Sequence, residues 1–443
     1  MDIIRGLIGM LTIIGLAWVL SNNKKAIPWS TVGKGLLIQF VLAIFILKGR
    51  LLEQWFSPLG WPKELFRWIS SFFVLVIDYT TAGASFVFGS LANGPATEGS
   101  LGFFFAFQVL PTIIFFASLT TLLYHYGILQ FIVKLMAIGM QKLLGTSGAE
   151  SLSVVANVFV GQTEAPLVVK PYIERMTQSE ILAVMTGGMA TIAGGVMAAY
   201  IQILGDSYAV ANTIPVDAAR LLFAEQLLGA SLMAAPAALI IAKILVPETE
   251  EPLTKGQVKV DIEKSDANGI DAAASGAGEG LKLALNVGAM LLAFIALLAM
   301  GNGILAYISS VTQLNHFIPG FELSIQSILG YVFSPIAFAI GIPLQDALSV
   351  GTFLGTKLVL TEFIAYVDLS TAVAAGALDP KTTIMATFAL CGFANFSSIA
   401  IQIGGIGSLA PSRKSDIAKF GIKAVLAGSL ANLMTATIAG MLF

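Results

Sequence analysis

Two glutamates sit where an apolar chain would be expected to avoid them. Glu164 lies in Asn157-Val-Phe-Val-Gly-Gln-Thr-Glu164-Ala-Pro-Leu, and Glu362 ends Gly351-Thr-Phe-Leu-Gly-Thr-Lys-Leu-Val-Leu-Thr-Glu362. Two further stretches place small and polar residues inside long apolar runs: Gly187-Gly-Met-Ala-Thr191-Ile-Ala-Gly-Gly195 and Cys391-Gly-Phe-Ala-Asn395-Phe-Ser-Ser398. Together they offer amides, hydroxyls and carboxylates, from Gln162, Thr163, Glu164, Glu362, Asn395 and Ser398. No arginine accompanies them, and Lys170 and Lys357 stand toward the ends of the two segments. Phosphates and carboxylates usually call for Arg forks or several cations. The set suits a neutral, hydroxyl-rich ligand with an amide-like or aromatic part. Phe393 can offer such a ligand a packing face, although a lone phenylalanine is more often ordinary core.

Other chemistries lack their residues. A single cysteine, Cys391, excludes a disulfide framework and any cysteine-based metal site. His125 and His316 lie far apart without ligand spacing, and His125 in Tyr-His-Tyr reads as an interfacial residue. An intramembrane enzyme would need a nucleophile–base pair or a metal cluster, and neither histidine has such company. Gly351-Thr-Phe-Leu-Gly-Thr-Lys357 lacks the Gly-Lys-Ser/Thr ending and the preceding strand of a P-loop, which removes a nucleotide-driven pump. No organic cofactor is expected.

The elements that position these residues must be membrane helices. Charged residues are 11% of the 443 positions, where a soluble protein carries roughly 25%. Hydrophobic residues are 56% and the mean hydropathy is +0.86. So much apolar surface cannot be covered in water, but lipid removes that constraint. A net charge of -2 argues against a nucleic-acid partner. A spanning helix needs roughly 20 mostly apolar residues. Stretches of that kind lie at about 3–20, 33–49, 101–124, 178–203, 224–246, 281–308, 381–405 and 418–442, which predicts about eight spans. The first is followed by Leu-Ser-Asn-Asn-Lys-Lys without a small-x-small cleavage site, so it reads as a retained helix.

Lys and Arg are more numerous in the loops that fall inside when the N-terminus is outside, including Lys24, Lys25, Lys134, Lys142, Lys170, Arg175, Arg413 and Lys414. The cluster from Lys48 to Arg67 runs against this bias. Segment 52–95 combines Trp55, Trp61 and Trp68 with charges and then an apolar run, as in an aromatic belt followed by a helix lying on or partly in the membrane.

Pro247 to Gly280 reads as a polar, flexible cytoplasmic linker, and it separates two halves with one order of elements. Each half has a long apolar helix, an amphipathic stretch, a short broken segment with a glutamate, a helix interrupted by small residues, and a plain final helix. The halves start from opposite sides of the membrane, which describes an inverted repeat. The divisions are 1–100 for N-terminal scaffold helices and an interfacial segment, 101–246 for the first repeat, 247–280 for the linker, and 281–443 for the second repeat. The glutamate segments, near 148–170 and 343–367, predict re-entrant hairpins, because a buried carboxylate and irregular backbone are tolerated at depth only where they face protein or a cavity. The interrupted helices expose backbone groups at the same depth, where transporters bind ions and substrates.

Gly161-Gln-Thr-Glu-Ala-Pro-Leu-Val-Val-Lys-Pro-Tyr172, Thr361-Glu-Phe-Ile-Ala-Tyr-Val367 and Cys391-Gly-Phe-Ala-Asn-Phe-Ser-Ser398 resemble signature segments of the concentrative nucleoside transporters, in order and from about Leu110 to the C-terminus. The resemblance implies an all-α polytopic protein of the inner (plasma) membrane, an elevator-type symporter that imports nucleosides. It implies a homotrimer whose protomers each have eight spans and two hairpins, with a scaffold that holds still while a transport domain moves through the bilayer. Gln162, Thr163 and Glu164 then correspond to residues that face the nucleobase, with Val196 their apolar neighbour. Glu362 corresponds to the glutamate on the ribose hydroxyls, with Asn395 and Ser398 its partners and Phe393 beside them. The family's sodium site corresponds to Asn157, Val160, Thr163, Thr191 and Ile192, with Thr191 where some relatives carry serine. Thr163 and Ala165-Pro166 favour sodium over the proton coupling of some bacterial relatives. Proton coupling, or an elevator transporter for another small polar solute, stays open.

Overall fold

The computed structural model describes residues 2–55, 60–94, 100–257, 266–312 and 323–443. Its described residues form helices joined by turns, with one isolated bridge between Ser147 and Lys255. Three helices precede the repeats: α1 (Asp2–Val19), α2 (Trp29–Trp55) and α3 (Trp61–Phe88). The first repeat holds α4 (Leu110–His125), α5 (Ile128–Leu144), a hairpin of α6 (Gly148–Ala156) and α7 (Lys170–Ile173), the pair α8 (Gln178–Ala190) and α9 (Gly194–Asn212), and α10 (Val216–Leu245). The second holds α11 (Gly269–Thr312), α12 (Ile325–Ala339), a hairpin of α13 (Leu344–Val359) and α14 (Glu362–Ala374), the pair α15 (Pro380–Leu390) and α16 (Phe396–Leu409), and α17 (Lys414–Leu442). The predicted order of five elements is therefore realised twice, and each of the eight predicted apolar stretches lies in a helix or a broken helix pair.

Burial sorts these helices into layers. The apolar window is 94% buried in α10, 89% across α8–α9 and 83% in the stretch containing α17, against 11% in α11. Helices that are apolar all round and enclosed on every side form the core, whereas α11 offers most of its surface outward. Helix α11 packs antiparallel on α4 at a close spacing set by small residues. A Cβ on Gly276 would stand 2.8 Å from the Ala117 carbonyl, and one on Gly280 would stand 2.8 Å from Ala117 Cβ. Such small faces are what membrane helices use to approach closely.

One end of the molecule gathers the C-terminal end of α1, the end of α10 and the start of α17. The Asn22 amide donates to the Leu245 carbonyl at 2.9 Å, and Lys423 donates to Asn22. The Thr31 hydroxyl donates to the Leu144 carbonyl at 3.0 Å, which brings the end of α5 to the same face. At the opposite end Lys48 donates to the carbonyl of Phe443 at 3.2 Å. These meetings fit the alternation expected from the loop charges.

Segment 61–88, expected to lie on or partly in the membrane, is one continuous helix with its first turns beside Ile46 and Glu225. Its tryptophans, Lys63, Glu64 and Arg67 occupy the first two turns, and the mostly apolar run behind them carries Asp78, which pairs with Arg220 at 3.4 Å. One expectation differs from the structure. The segment 247–280 is not a flexible linker throughout. Residues 254–257 pack on the base of the first hairpin, with the Gly148 amide donating to the Thr254 carbonyl at 3.0 Å and the Ala149 amide to the Thr254 hydroxyl at 3.0 Å. Helix α11 already begins at Gly269. Short-range composition pointed to disorder there, but hydrogen bonds to a helix N-terminus hold the first part and helical continuity holds the last. Lys259, Asp261, Glu263, Lys264 and His316 lie outside the described residues.

Candidate functional site

The first hairpin is anchored by its cap. Ser147 and Glu150 form a reciprocal capping box on α6, with the Ser147 amide donating to Glu150 Oε1 at 2.7 Å. The other Glu150 oxygen pairs with Lys243 Nζ at 2.8 Å, and Lys243 also reaches Glu248 Oε2 at 3.2 Å. Thr177 donates to the same Glu248 oxygen at 2.8 Å while capping α8 through a second box with Glu180. Two helix starts, the end of α10 and the first linker residues are thus tied at one buried charge cluster. Above it α6 ends at Ala156 and the chain turns through Asn157 to Glu164, with the Asn157 amide donating to the Ser153 carbonyl at 3.1 Å. The tip docks on the break between α8 and α9, where the Gly194 amide donates to the Phe159 carbonyl at 3.1 Å.

The second hairpin is built differently. Two full helices meet at Leu360–Thr361, and the Thr361 hydroxyl caps α14 by accepting from the Ile364 amide at 3.4 Å. Helices α12 and α13 turn by 120° at their junction, which sends α13 back into the protein. This hairpin spans 344–374, longer than the 343–367 read from the sequence, because helical pattern continues beyond Val367. Glu362, at the first position of α14, is 5% exposed.

A continuous hydrogen-bonded chain joins both hairpins and both broken helices. Tyr200 on α9 donates to Glu362 Oε1 at 3.1 Å, and Asn395 Nδ2 donates to Glu362 Oε2 at 2.7 Å. Asn395 Oδ1 caps α16, accepting from the Ser398 amide at 2.9 Å and the Ser397 hydroxyl at 2.7 Å. The Ser398 hydroxyl accepts from Gln162 Nε2 at 3.2 Å, and Gln162 Oε1 accepts from Gln402 Nε2 at 3.1 Å. Gln402 Nε2 also reaches the Met185 carbonyl on α8 at 2.9 Å. The predicted residues Gln162, Glu362, Asn395 and Ser398 are therefore brought into one buried network.

The remaining predicted residues surround it. Glu164 is exposed and, with Val160, Gly161 and Val196, lines a cavity of about 1060 Å³ that runs past Lys170 and Glu174 toward Asp266 and Glu279. Thr163 is half-buried against α16, where a Cβ on Gly405 would stand 2.9 Å from its methyl. Phe393 is half-buried against the core at the second helix break. Asn157 and Thr191 are buried, and the Thr191 hydroxyl donates to the Gly187 carbonyl at 2.9 Å. The Ile192 amide faces the Ser231 hydroxyl of α10 at 3.5 Å. The two broken helices touch at this level. Gly392, at φ +98°, stands so close that a Cβ there would be 2.6 Å from the Ala190 carbonyl oxygen.

Sequence reasoning missed four members of this region. Tyr200 is a single polar group on an otherwise apolar helix face, whereas Gln402 follows Ser398 by four residues on one face of α16, a spacing that could have signalled it. Lys357 was placed toward a hairpin end, yet it is 3% exposed and donates to the carbonyls of Ala389 and Cys391 and to Asn432 Oδ1. Asn432 sits in a helix that reads as plain.

An inverted repeat of membrane helices with two re-entrant hairpins and two central helix breaks is the architecture of a multi-pass transporter. Residues 226–440 and 8–91 match the C-terminal and N-terminal profiles described as Na+ dependent nucleoside transporter, and residues 106–207 match one described as nucleoside recognition. The chain belongs to the concentrative nucleoside transporter family. It is 43% identical to the nucleoside permease NupC of Helicobacter pylori over 98% of this chain and 96% of that one. It is 38% identical to sodium/nucleoside cotransporter 1 of Homo sapiens, over 98% of this chain and 63% of that longer protein. Among solved structures, CNTnw in an inward-facing, substrate-bound state superimposes with TM-score 0.84 at 42% identity, covering 100% of this chain and 98% of that one. An outward-facing variant of CNTnw gives TM-score 0.85 at the same identity, over 100% of this chain and 98% of the variant.

Proposed function

We propose that this protein imports nucleosides by symport with sodium, and that the network from Gln402 through Gln162, Ser398, Asn395 and Glu362 to Tyr200 is its substrate site. One observation carries the reading. Buried amide, hydroxyl and carboxylate groups from four separate elements bond to one another at the molecule's centre, with no arginine among them. Side-chain bonds in that chain, such as that from Gln162 to Ser398, can be exchanged for bonds to a ligand. Glu362 is an acceptor for ribose hydroxyls, steadied by Tyr200 and Asn395, and Ser398 extends the same side. Gln162 has a donor and an acceptor for a base edge, Thr163 and Glu164 lie beside it, and Val196 and Phe393 supply apolar faces. A ligand lacking a hydroxyl would strand buried polar groups, which is how such a site discriminates sharply.

Sodium is the cotransported cation in this reading, held by Asn157, Val160, Thr163, Thr191 and Ile192. Hydroxyl, amide and carbonyl oxygens suit a hard cation. The Phe159–Gly194 hydrogen bond supports the assignment, since it holds the first hairpin tip against the helix break. Alternating access follows from an elevator movement of the two hairpins with α8–α10 and α15–α17 against a scaffold of 1–100, α4 and α11. The cavity between the first hairpin and the α4–α11 pair marks that sliding surface. Homotrimeric assembly would cover part of the outward face of α11, where Leu292, Met300 and Tyr307 are exposed.

Uptake into proteoliposomes tests the coupling. Nucleosides should enter under a sodium gradient at fixed pH, and nucleoside monophosphates should not. Uptake driven by a pH gradient in choline would overturn sodium coupling and leave the nucleoside reading intact.

A further inference from the structure

Among the described residues, Lys357 is the one buried cation at the level of the helix breaks. It makes no ion pair among the described residues. Its ammonium donates instead to three oxygens: the Ala389 carbonyl at 3.0 Å, the Cys391 carbonyl at 3.1 Å and Asn432 Oδ1 at 2.9 Å. The two carbonyls belong to the last turn and cap of α15, the negative end of that helix, which no following helical amide satisfies. Asn432 cannot turn its other face, because Nδ2 donates to the Ala190 carbonyl at 2.7 Å. One side chain of α17 thus joins the end of α8 directly and the end of α15 through Lys357. Three oxygens converging on a positive nitrogen have the form of a cation site, filled here from the chain itself.

We propose that Lys357 is a tethered cation that locks the second hairpin onto the break of α15, and that it thereby positions Glu362 and Asn395 for substrate. Glu362 follows Lys357 by five residues across the hairpin tip, and Asn395 follows Cys391 by four across the helix break. Pinning both ends of this junction to one ammonium fixes the spacing of the carboxylate and the amide. A free cation at the first hairpin would be gained and lost in each cycle, while this one stays. The second junction accordingly remains closed whether or not sodium is present.

Removing the side chain leaves three buried oxygens around a space sized for an ammonium ion. In Lys357→Ala, nucleoside affinity should fall roughly tenfold to a hundredfold, as when a hydrogen bond to a charged group is lost. Ammonium or methylammonium should restore much of it in a saturable way, and choline should not. Lys357→Met fills the space with an apolar chain and should not respond.

Cys391, the sole cysteine and fully buried, reports on the same junction without substrate. A thiol reagent should modify it slowly in the wild type, rapidly in Lys357→Ala, and slowly again in Lys357→Ala with ammonium. Should Lys357→Ala not fold, Asn432→Ala removes one oxygen and keeps the cation; it should label faster than wild type and ignore ammonium. Wild-type affinity and labelling in the variants would overturn the proposal, as would losses in Lys357→Ala that ammonium and choline leave equally unrepaired. The inference rests on the ribose-side reading of Glu362 and Asn395. Ammonium-reversible labelling in a protein that never binds nucleoside would break that reading and leave the tethered cation standing.

Discussion

The two hairpins occupy corresponding places in the repeat, yet they hold their glutamates in opposite ways. The first is short, with an irregular tip from Asn157 to Glu164 between α6 and a 3-10 turn at Ala165–Val169, and Glu164 is exposed to the large cavity. The second is made of two full helices, and Glu362 is buried between Tyr200 and Asn395. Their bases differ as well. An ion cluster of Lys243, Glu150 and Glu248 fixes the first, whereas Asp346 fixes the second by accepting from the Thr382 hydroxyl at 2.6 Å and the Asp379 amide at 3.2 Å. A hairpin with a loose tip needs a firm base and is free to respond to an ion. A hairpin stiff throughout is suited to holding a ligand group in one place.

The sharpest way to break this contrast is at the first base. Lys243→Met strands Glu150, whose side chain is 1% exposed, and should cost about 3–5 kcal/mol of stability. Thermal unfolding in detergent would measure it. Asp346→Asn, which leaves neutral partners at the second base, should cost less. Equal losses would mean the two bases carry the same load.

Next in size are the carboxylates themselves. Glu362→Gln should weaken nucleoside binding by about 1.5–3 kcal/mol while lowering thermal stability little. Tyr200→Phe should weaken it less, because the ring keeps its stacking on Tyr366 at 4.2 Å and only the bond to Glu362 is lost. Isothermal titration on purified protein separates the two. If Glu362→Gln binds nucleoside normally and loses only uptake, the buried glutamate serves gating and the contrast between hairpins is one of motion.

Much of this arrangement was legible because polar residues in an apolar chain are costly and so carry information. Glu164, Gln162, Glu362, Asn395 and Ser398 all announced themselves by breaking long hydrophobic runs, and the five-element order of each half followed from where those breaks fell. Tyr200 and Gln402 did not stand out, since one hydroxyl or amide on a membrane helix commonly bonds a neighbouring turn. Lys357 was misplaced for a physical reason: a lysine near a segment end usually snorkels outward, and only the fold shows α15 ending against it. The strap at 254–257 was hidden because composition reports solvation, whereas its order comes from one helix start that needs acceptors.

The smallest effect separates the two hairpins most finely. The Thr191 hydroxyl donates to the Gly187 carbonyl at 2.9 Å and so retains lone pairs for a cation at the first helix break. It makes no hydrogen bond to Gln162, Glu362, Asn395 or Ser398 among the described residues. Sodium bound there would fix the tip from Asn157 to Thr163 against α8 and α9 and so set the position of Gln162, which raises nucleoside affinity. By linkage the nucleoside must raise sodium affinity by the same factor, typically about 5–150-fold. Thr191→Ala should reduce that factor several-fold while leaving nucleoside affinity at zero sodium unchanged, and Thr191→Ser should restore it. Titrating nucleoside at several sodium concentrations gives both quantities from one data set. A Thr191→Ala protein with undiminished sodium dependence would remove the ion from the first helix break. The irregular tip would then have to be explained by the elevator movement alone.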